Sequence, residues 1–386
     1  MRKLILAIAL ALASLAPAQA QSVQSSVAPD VWSAIELCKI DSLFHFTGKC
    51  PSGWVPSPSL AGLPATPSPF PISEGLQPSW GSGKIPPSAA PDVVGAFRFI
   101  MRAAGTNNDD ALVYPCQPGK SMHLHQYYGR KGWSACSTYE SMRASAGQPG
   151  NDFNGFKCLN CSGYWEPAML DAAGNPVSPL FVSGYYKRRP ASDPKCGGLG
   201  TVFGAIGKCI PVPNGLRMIF GYDLITGKSP TGSLWFNCTG PTAKSGTYPS
   251  LTIALANCPV GAGNKLGAII EAPNCWDGKN LDSPNHRDHV AYQVPNTNTG
   301  QRACPATHPY AFAGLTLGAW FPVVPGMHLS CDMMLPNSPS GTCFHGDYFE
   351  NWAPEVKAMW EENCINGFKN ASGGDLCNGL QLKGAQ

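Results

Sequence analysis

The chain has 386 residues, among them 16 cysteines, 43 glycines and 37 prolines, and only 13% of its residues are charged. A formal charge of +3, with no basic run longer than Lys187-Arg188-Arg189, excludes the charge footprint of a nucleic-acid-binding protein. Sparse charge beside abundant Gly and Pro also disfavours long surface helices and favours strands, turns and ordered loops.

In chain order, Arg2 and Lys3 precede the apolar run Leu4 to Leu15, and Ala18-Gln19-Ala20 has the small-x-small pattern of a cleavage site. Residues 1–20 are therefore expected to be a signal peptide, which makes the destination secreted or periplasmic. All 16 cysteines follow it, and an even number in an exported chain reads as a disulfide framework. Short spacings suggest Cys38–Cys50, Cys331–Cys343 and Cys364–Cys377 as local loops.

Residues 21–50 form a predicted N-terminal helical extension. Pro29-Asp30 supplies a start signal, and Val31, Ile35 and Cys38 recur at helical spacing over 30–38. Residues 51–92 are rich in Pro, Ser and Gly and read as a linker or a loop wrapped over the core. Residues 93–386 are expected to be a β-rich core with a C-terminal helix.

Strands are predicted over Val94–Ile100, Ala111–Tyr114, Met122–Tyr127, Leu216–Tyr222, Ser233–Phe236, Leu266–Glu271 and Val290–Val294, with turn residues between them. Tyr310 to Met327 is uncharged but broken by Gly314, Gly318, Pro322, Pro325 and Gly326. That pattern suits buried strands, so no membrane span is expected. Pro354 opens a late helix at its first position, with Val356, Met359, Trp360 and Cys364 on one face. The expected fold is mainly β: a single disulfide-stapled sandwich or jelly-roll-like domain with few helices.

Histidines carry the chemical signal. In His123-Leu124-His125 a strand period of two puts both imidazoles on one face. Two such imidazoles with a third ligand can hold Zn or Cu, whereas the blander alternative is a satisfied pair in a polar cleft. Cys275 to His289 packs three Asp, two His, a Lys and an Arg into fifteen residues of a charge-poor chain. Paired acids and histidines suit acid–base work; Asp282-Ser283-Pro284 can equally be a plain turn. His308 and His345 each sit near a cysteine. Cys158-Leu159-Asn160-Cys161 lacks a second pair for zinc and is read as the ends of two different disulfides. The pairs Tyr127-Tyr128, Tyr164-Trp165 and Tyr185-Tyr186 read as half-buried strand faces rather than sugar platforms. The chain has no Gly-x-Ser-x-Gly elbow, phosphate loop or dinucleotide fingerprint.

Several segments together resemble a secreted family, mostly fungal with bacterial members, catalogued as domain of unknown function 1996. They are Met122-His123-Leu124-His125-Gln126 with Gly129, Ser162-Gly163-Tyr164-Trp165, Gly215-Leu216-Arg217-Met218, and Cys275 through Pro284 with His286 and His289-Val290-Ala291-Tyr292. Cys304-Pro305 with Thr307-His308-Pro309, and His345-Gly346-Asp347-Tyr348 with Trp352, complete the set. One departure is Arg130, where the family pattern has a second glycine after Gly129. The resemblance implies a secreted protein of organisms feeding on plant or microbial matter, and so a polysaccharide or cell-wall glycan as partner.

The leading expectation is a hydrolase or lyase of extracellular polysaccharide, with His123, His125, His289, His308 and His345 around one cleft. Asp277 and Asp282 would orient imidazoles or act as acid–base partners. The alternatives are a copper- or zinc-dependent enzyme with His123 and His125 as ligands, and a non-catalytic polysaccharide- or wall-binding protein. Convergence places His123, His125, His289 and His308 within roughly 10–12 Å of one another around a single concave site. It places His345 at the rim, His45 and His328 elsewhere, and leaves His286 open.

Overall fold

The computed structural model describes residues 60–80, 94–146, 156–261, 263–296 and 301–384, and the backbone strands Glu36–Ile40, Leu43–Thr47 and Val55–Pro56. The leader read at 1–20 lies outside the described residues. The chain divides into two compact units, Met1–Pro58 and Ser59–Gln386.

The first unit holds a three-stranded antiparallel sheet in which Glu36–Ile40 lies between Leu43–Thr47 and Val55–Pro56. Over residues 36–38 this corrects the helix expected across 30–38, whose earlier part is outside the described residues. So short an amphipathic segment cannot nucleate a helix from local energy alone. The antiparallel partner Leu43–Thr47 offers it ladder hydrogen bonds instead.

The second unit is a β-sandwich. Its strands, in chain order, are β1 (Gly95–Met101), β2 (Ala103–Asn107), β3 (His125–Gly129), β4 (Gly163–Pro167), β5 (Phe181–Arg188) and β6 (Arg217–Gly221). They continue as β7 (Leu234–Thr239), β8 (Gly246–Tyr248), β9 (Lys265–Glu271), β10 (Gly314–Pro322), β11 (His345–Phe349) and β12 (Asn370–Ala371). The larger sheet runs β8-β7-β9-β10-β5-β1-β12 and the smaller β6-β11-β4-β3-β2. Three strands read from sequence differ, one of them Val290–Val294, which is broken into Val290–Ala291 and Val294–Pro295 with different partners. Ala111–Tyr114 is a turn, because Asp110 Oδ1 accepts from the amides of Leu112 and Val113. The strand expected from Met122 begins only at His125.

One apolar core fills the space between the sheets, with Phe97, Phe99 and Leu317 from the larger meeting Tyr164, Met218 and Phe220 from the smaller. The paired aromatics are strand residues: Tyr164 and Trp165 are fully buried and Tyr186 packs on Trp360 at 4.8 Å. The late helix forms as expected, over Pro354–Trp360, and continues as π-helical turns over Glu361–Asn366. There Glu361 meets Arg188 at 3.0 Å in the interior. Part of the 51–92 segment lies on the sandwich, where Leu76–Pro78 pairs with Leu380–Leu382 and Gly62 bridges to Asn214.

Seven disulfides join the described cysteines, leaving none of those free. Cys331–Cys343 and Cys364–Cys377 are paired as their spacing suggests, while Cys50, and with it the third expected pair, is outside the described residues. Cys158 bonds Cys161 directly, which corrects their reading as ends of two bridges. Left-handed backbone at Lys157 and Cys158 closes the short ring. Among the described residues no helix is long and apolar enough to cross a membrane.

Candidate functional site

Strand alternation gives the smaller sheet an inner face toward the core and an outer face on which the candidate site is built. In β11, His345 is opposite Gly221 and Asp347 is opposite both Ile219 and Trp165, so these share the outer face. Two strands over, β3 adds His125, and the bend before it delivers His123. Gly221 is required here. It has φ +84°, and a Cβ at this position would press on the backbone of Phe344 and His345.

The three imidazoles meet edge to face, with ring centroids 4.5 Å apart for His123–His125, 5.0 Å for His123–His345 and 6.3 Å for His125–His345. One nitrogen from each lies within 4.8 Å of the others. His125 Nδ1 is 2.9 Å from the Asp109 carbonyl, and His345 Nδ1 is 2.8 Å from the Cys343 carbonyl. A carbonyl only accepts, so both Nδ1 atoms carry the proton and both Nε2 atoms present a lone pair. His125 Nε2, both ring nitrogens of His123 and Asp347 Oδ2 are buried without a hydrogen-bond partner among the described residues. Asp347 Oδ2 lies 3.9 Å from His345 Nε2, beyond hydrogen-bond reach.

Burial keeps these imidazoles neutral. It pushes His123 down to about 2, with the neighbouring His125 and His345 adding to the effect. Burial likewise takes His345 down to about 3, aided by His125 and Arg287 and opposed by the Cys343 carbonyl. His125 is also lowered by burial, against Asp110 and the Asp109 carbonyl. Asp347 moves the other way, well above the carboxylate range, because burial and the charge of Asp110 outweigh Arg287.

A cavity of about 380 Å³ opens over this cluster, with His123, His345 and Asp347 at its floor. His286 and Arg287 form one wall. The backbone of His286 is left-handed, at φ +57°, and its Nδ1 contacts Asp282 Oδ1 at 2.8 Å. Arg287 donates to the carbonyls of Gly221 and Tyr222, which locks the wall to the end of β6. Ser283 Oγ and Asn285 Oδ1 each accept from the amides of Arg287 and Asp288, so the loop is rigid.

The expected constellation is thus redrawn. His123, His125 and His345 come together, and His345 is at the centre rather than the rim. His289 and His308 do not line the cavity. His289 is buried between Ser283 Oγ and the Arg217 carbonyl, so Nδ1 braces the loop internally and Nε2 pins it to β6. His308 caps the Asp288 carbonyl at 2.9 Å from a half-buried position. Asp277 accepts from the amides of Lys279 and Asn280 in a turn outside the cavity lining, whereas Asp282 does orient an imidazole, that of His286. His328 bonds the Gly326 carbonyl away from the cavity lining, and the side chain of His45 is outside the described residues. Asp347 and Arg287 received no site role from sequence. For Asp347 the signal was present, because His345-Gly346-Asp347 has the same period of two as His123-Leu124-His125.

Fold and site together define a β-sandwich protein with a buried three-histidine cluster at the floor of an open cavity. The chain belongs to the family described as Domain of unknown function (DUF1996), whose model matches residues 110–352 and so contains all three histidines, Asp347 and the 282–289 wall. No curated protein and no solved structure matches the chain.

Proposed function

We propose that this is a metal-dependent enzyme acting on extracellular polysaccharide, with His123, His125 and His345 holding a Zn or Cu ion at the cavity floor. One observation carries the reading. Three neutral imidazoles converge with ligand-capable nitrogens within 4.8 Å, and those of His123 and His125 have no other partner among the described residues. Leaving a buried polar atom unpaired costs about 1–3 kcal/mol, so such a cluster persists where a ligand completes it. Backbone carbonyls on the Nδ1–H groups of His125 and His345 fix the tautomer that a metal needs. Three imidazoles suit Zn or Cu, and His123 and His345, which line the cavity, would hold such an ion beside it. When bound, the ion supplies Lewis acidity.

The chain's own groups supply the remainder. His286, held by Asp282, faces the cavity from a wall beside β6, two strand spacings or roughly 10 Å from the strand of Asp347. That separation leaves room for a reacting bond between the floor and a proton-carrying imidazole. The disulfides fit an oxidising compartment, which supports a secreted or periplasmic site of action.

The test is a polysaccharide panel assayed with protein as purified, stripped by chelator, and reloaded with Zn or Cu. Activity should vanish on stripping, return on reloading, and be absent from a folded His123→Ala, His125→Ala variant. Full activity in protein shown to be metal-free would replace this account with metal-independent acid–base catalysis.

A further inference from the structure

We infer that the cavity takes an apolar acyl or aryl substituent, ester-linked to the glycan, rather than a bare sugar chain. This rests on the metal-dependent reading above and names the bond on which that centre acts. Three aliphatic side chains from two loops stand at the mouth: Val113 and Met122 from the β2–β3 connection and Ile225 from the β6–β7 connection, which are 41%, 63% and 86% exposed. Exposed apolar side chains scattered singly need no account, but three converging on one cavity mark a binding site. Both loops are tied in place. Asp110 Oδ1 accepts from the Val113 amide at 2.9 Å. Asp223 accepts from the Ile225 amide and the Thr226 hydroxyl, and its backbone pairs with Lys228. The apolar mouth is therefore preorganised and loses little entropy on binding.

Beneath it the character changes, because the floor presents His123, His345 and Asp347. A ligand matching both levels is apolar at one end and polar at its reacting bond. A bare glycan, hydroxylated along its whole length, would instead favour exposed aromatic platforms, whereas of the two tyrosines lining the cavity Tyr222 is buried and Tyr114 half-buried. In the reaction, the oxygen of water adds to the ester carbonyl carbon and the bond from that carbon to the glycan oxygen breaks. The proton given up by water ends on the departing glycan oxygen, and a carboxylic acid is the second product.

The experiment uses the full mature chain loaded with zinc and two metal-chelating probes that differ in one group, benzohydroxamate and acetohydroxamate, with cellohexaose as competitor. Benzohydroxamate should bind about tenfold more tightly, as burial of its ring against the mouth requires. In the Met122→Ser, Ile225→Ser variant that preference should fall to within about twofold, while zinc content and acetohydroxamate affinity hold. Both substituted side chains are exposed, so folding is not at stake. Cellohexaose should not displace benzohydroxamate. Equal affinity for the two probes, a preference that survives in the variant, or displacement by cellohexaose would overturn the substituent and leave the metal centre standing. Folded protein that takes up neither zinc nor copper would instead remove the metal-dependent reading, and this inference with it.

Discussion

On the inner face of the smaller sheet, Tyr164 and Tyr348 reach across the core to Tyr186, whose hydroxyl lies 2.8 Å from one and 3.1 Å from the other and accepts from Trp352 Nε1. On the outer face of the same sheet, Asp347, next to Tyr348 in β11, and His125 in β3 hold buried polar atoms that bond to nothing described. Equal burial and shared backbone thus support opposite treatments of polar groups. The inner network closes on itself and stabilises the sandwich. The outer cluster stays open, and its cost marks the surface as a place for a ligand.

The comparison breaks most visibly at Tyr186. Tyr186→Phe leaves the Trp352 indole and two tyrosines short of a partner in the dry core, and should cost about 2–4 kcal/mol. Urea denaturation checks this, and metal content should stay unchanged. A loss below about 0.5 kcal/mol would show that the inner network is not what separates the two faces.

Glu166 is the exception on the inner face and sharpens the contrast. Tyr128 donates to Oε2 at 2.9 Å, Oε1 has no partner, and burial pushes the carboxyl up to about 8 from 4.5 despite the Tyr128 hydrogen bond. Between those values the folded chain keeps a proton that the unfolded chain releases, so this group lowers stability as pH rises through the window. Glu166→Gln should match wild type near pH 5 and exceed it near pH 9 by about 2–4 kcal/mol. Thermal melts across that range decide it. A constant difference would assign Glu166 an ordinary carboxylate titration.

The smallest effect is expected on the outer face. His123→Leu removes two ring nitrogens without a hydrogen bond to lose. Metal-free stability should therefore change by less than about 1 kcal/mol, or rise. A loss comparable to that of Tyr186→Phe would mean that His123 is a structural residue.

Much of this contrast was legible in the sequence, though unevenly. Val94–Ile100, Leu216–Tyr222 and Leu266–Glu271 read correctly as strands because apolar runs bounded by turn residues have few other uses. Pro354 announced the late helix for an equally local reason. His123-Leu124-His125 was visible as a pair for the same cause, since its chemistry lies within one short segment. The rest depended on contacts that no local pattern carries. His289 resembled a site residue because it stands in a dense polar motif, yet both of its nitrogens are used structurally, one within that motif and one holding it to β6. His286 turns inward only through a left-handed backbone. His345 reaches the centre because β11 lies next but one to β3 in the sheet, which brings together residues more than two hundred positions apart.

The central claim is that the outer face is a metal centre, and metal analysis after equilibration with Zn or Cu and desalting tests it most directly. The account predicts about one equivalent per wild-type chain, and almost none in a His123→Ala, His125→Ala variant with the same disulfides and fold. Folded wild-type protein that retains no metal, or equal retention in both proteins, would contradict it.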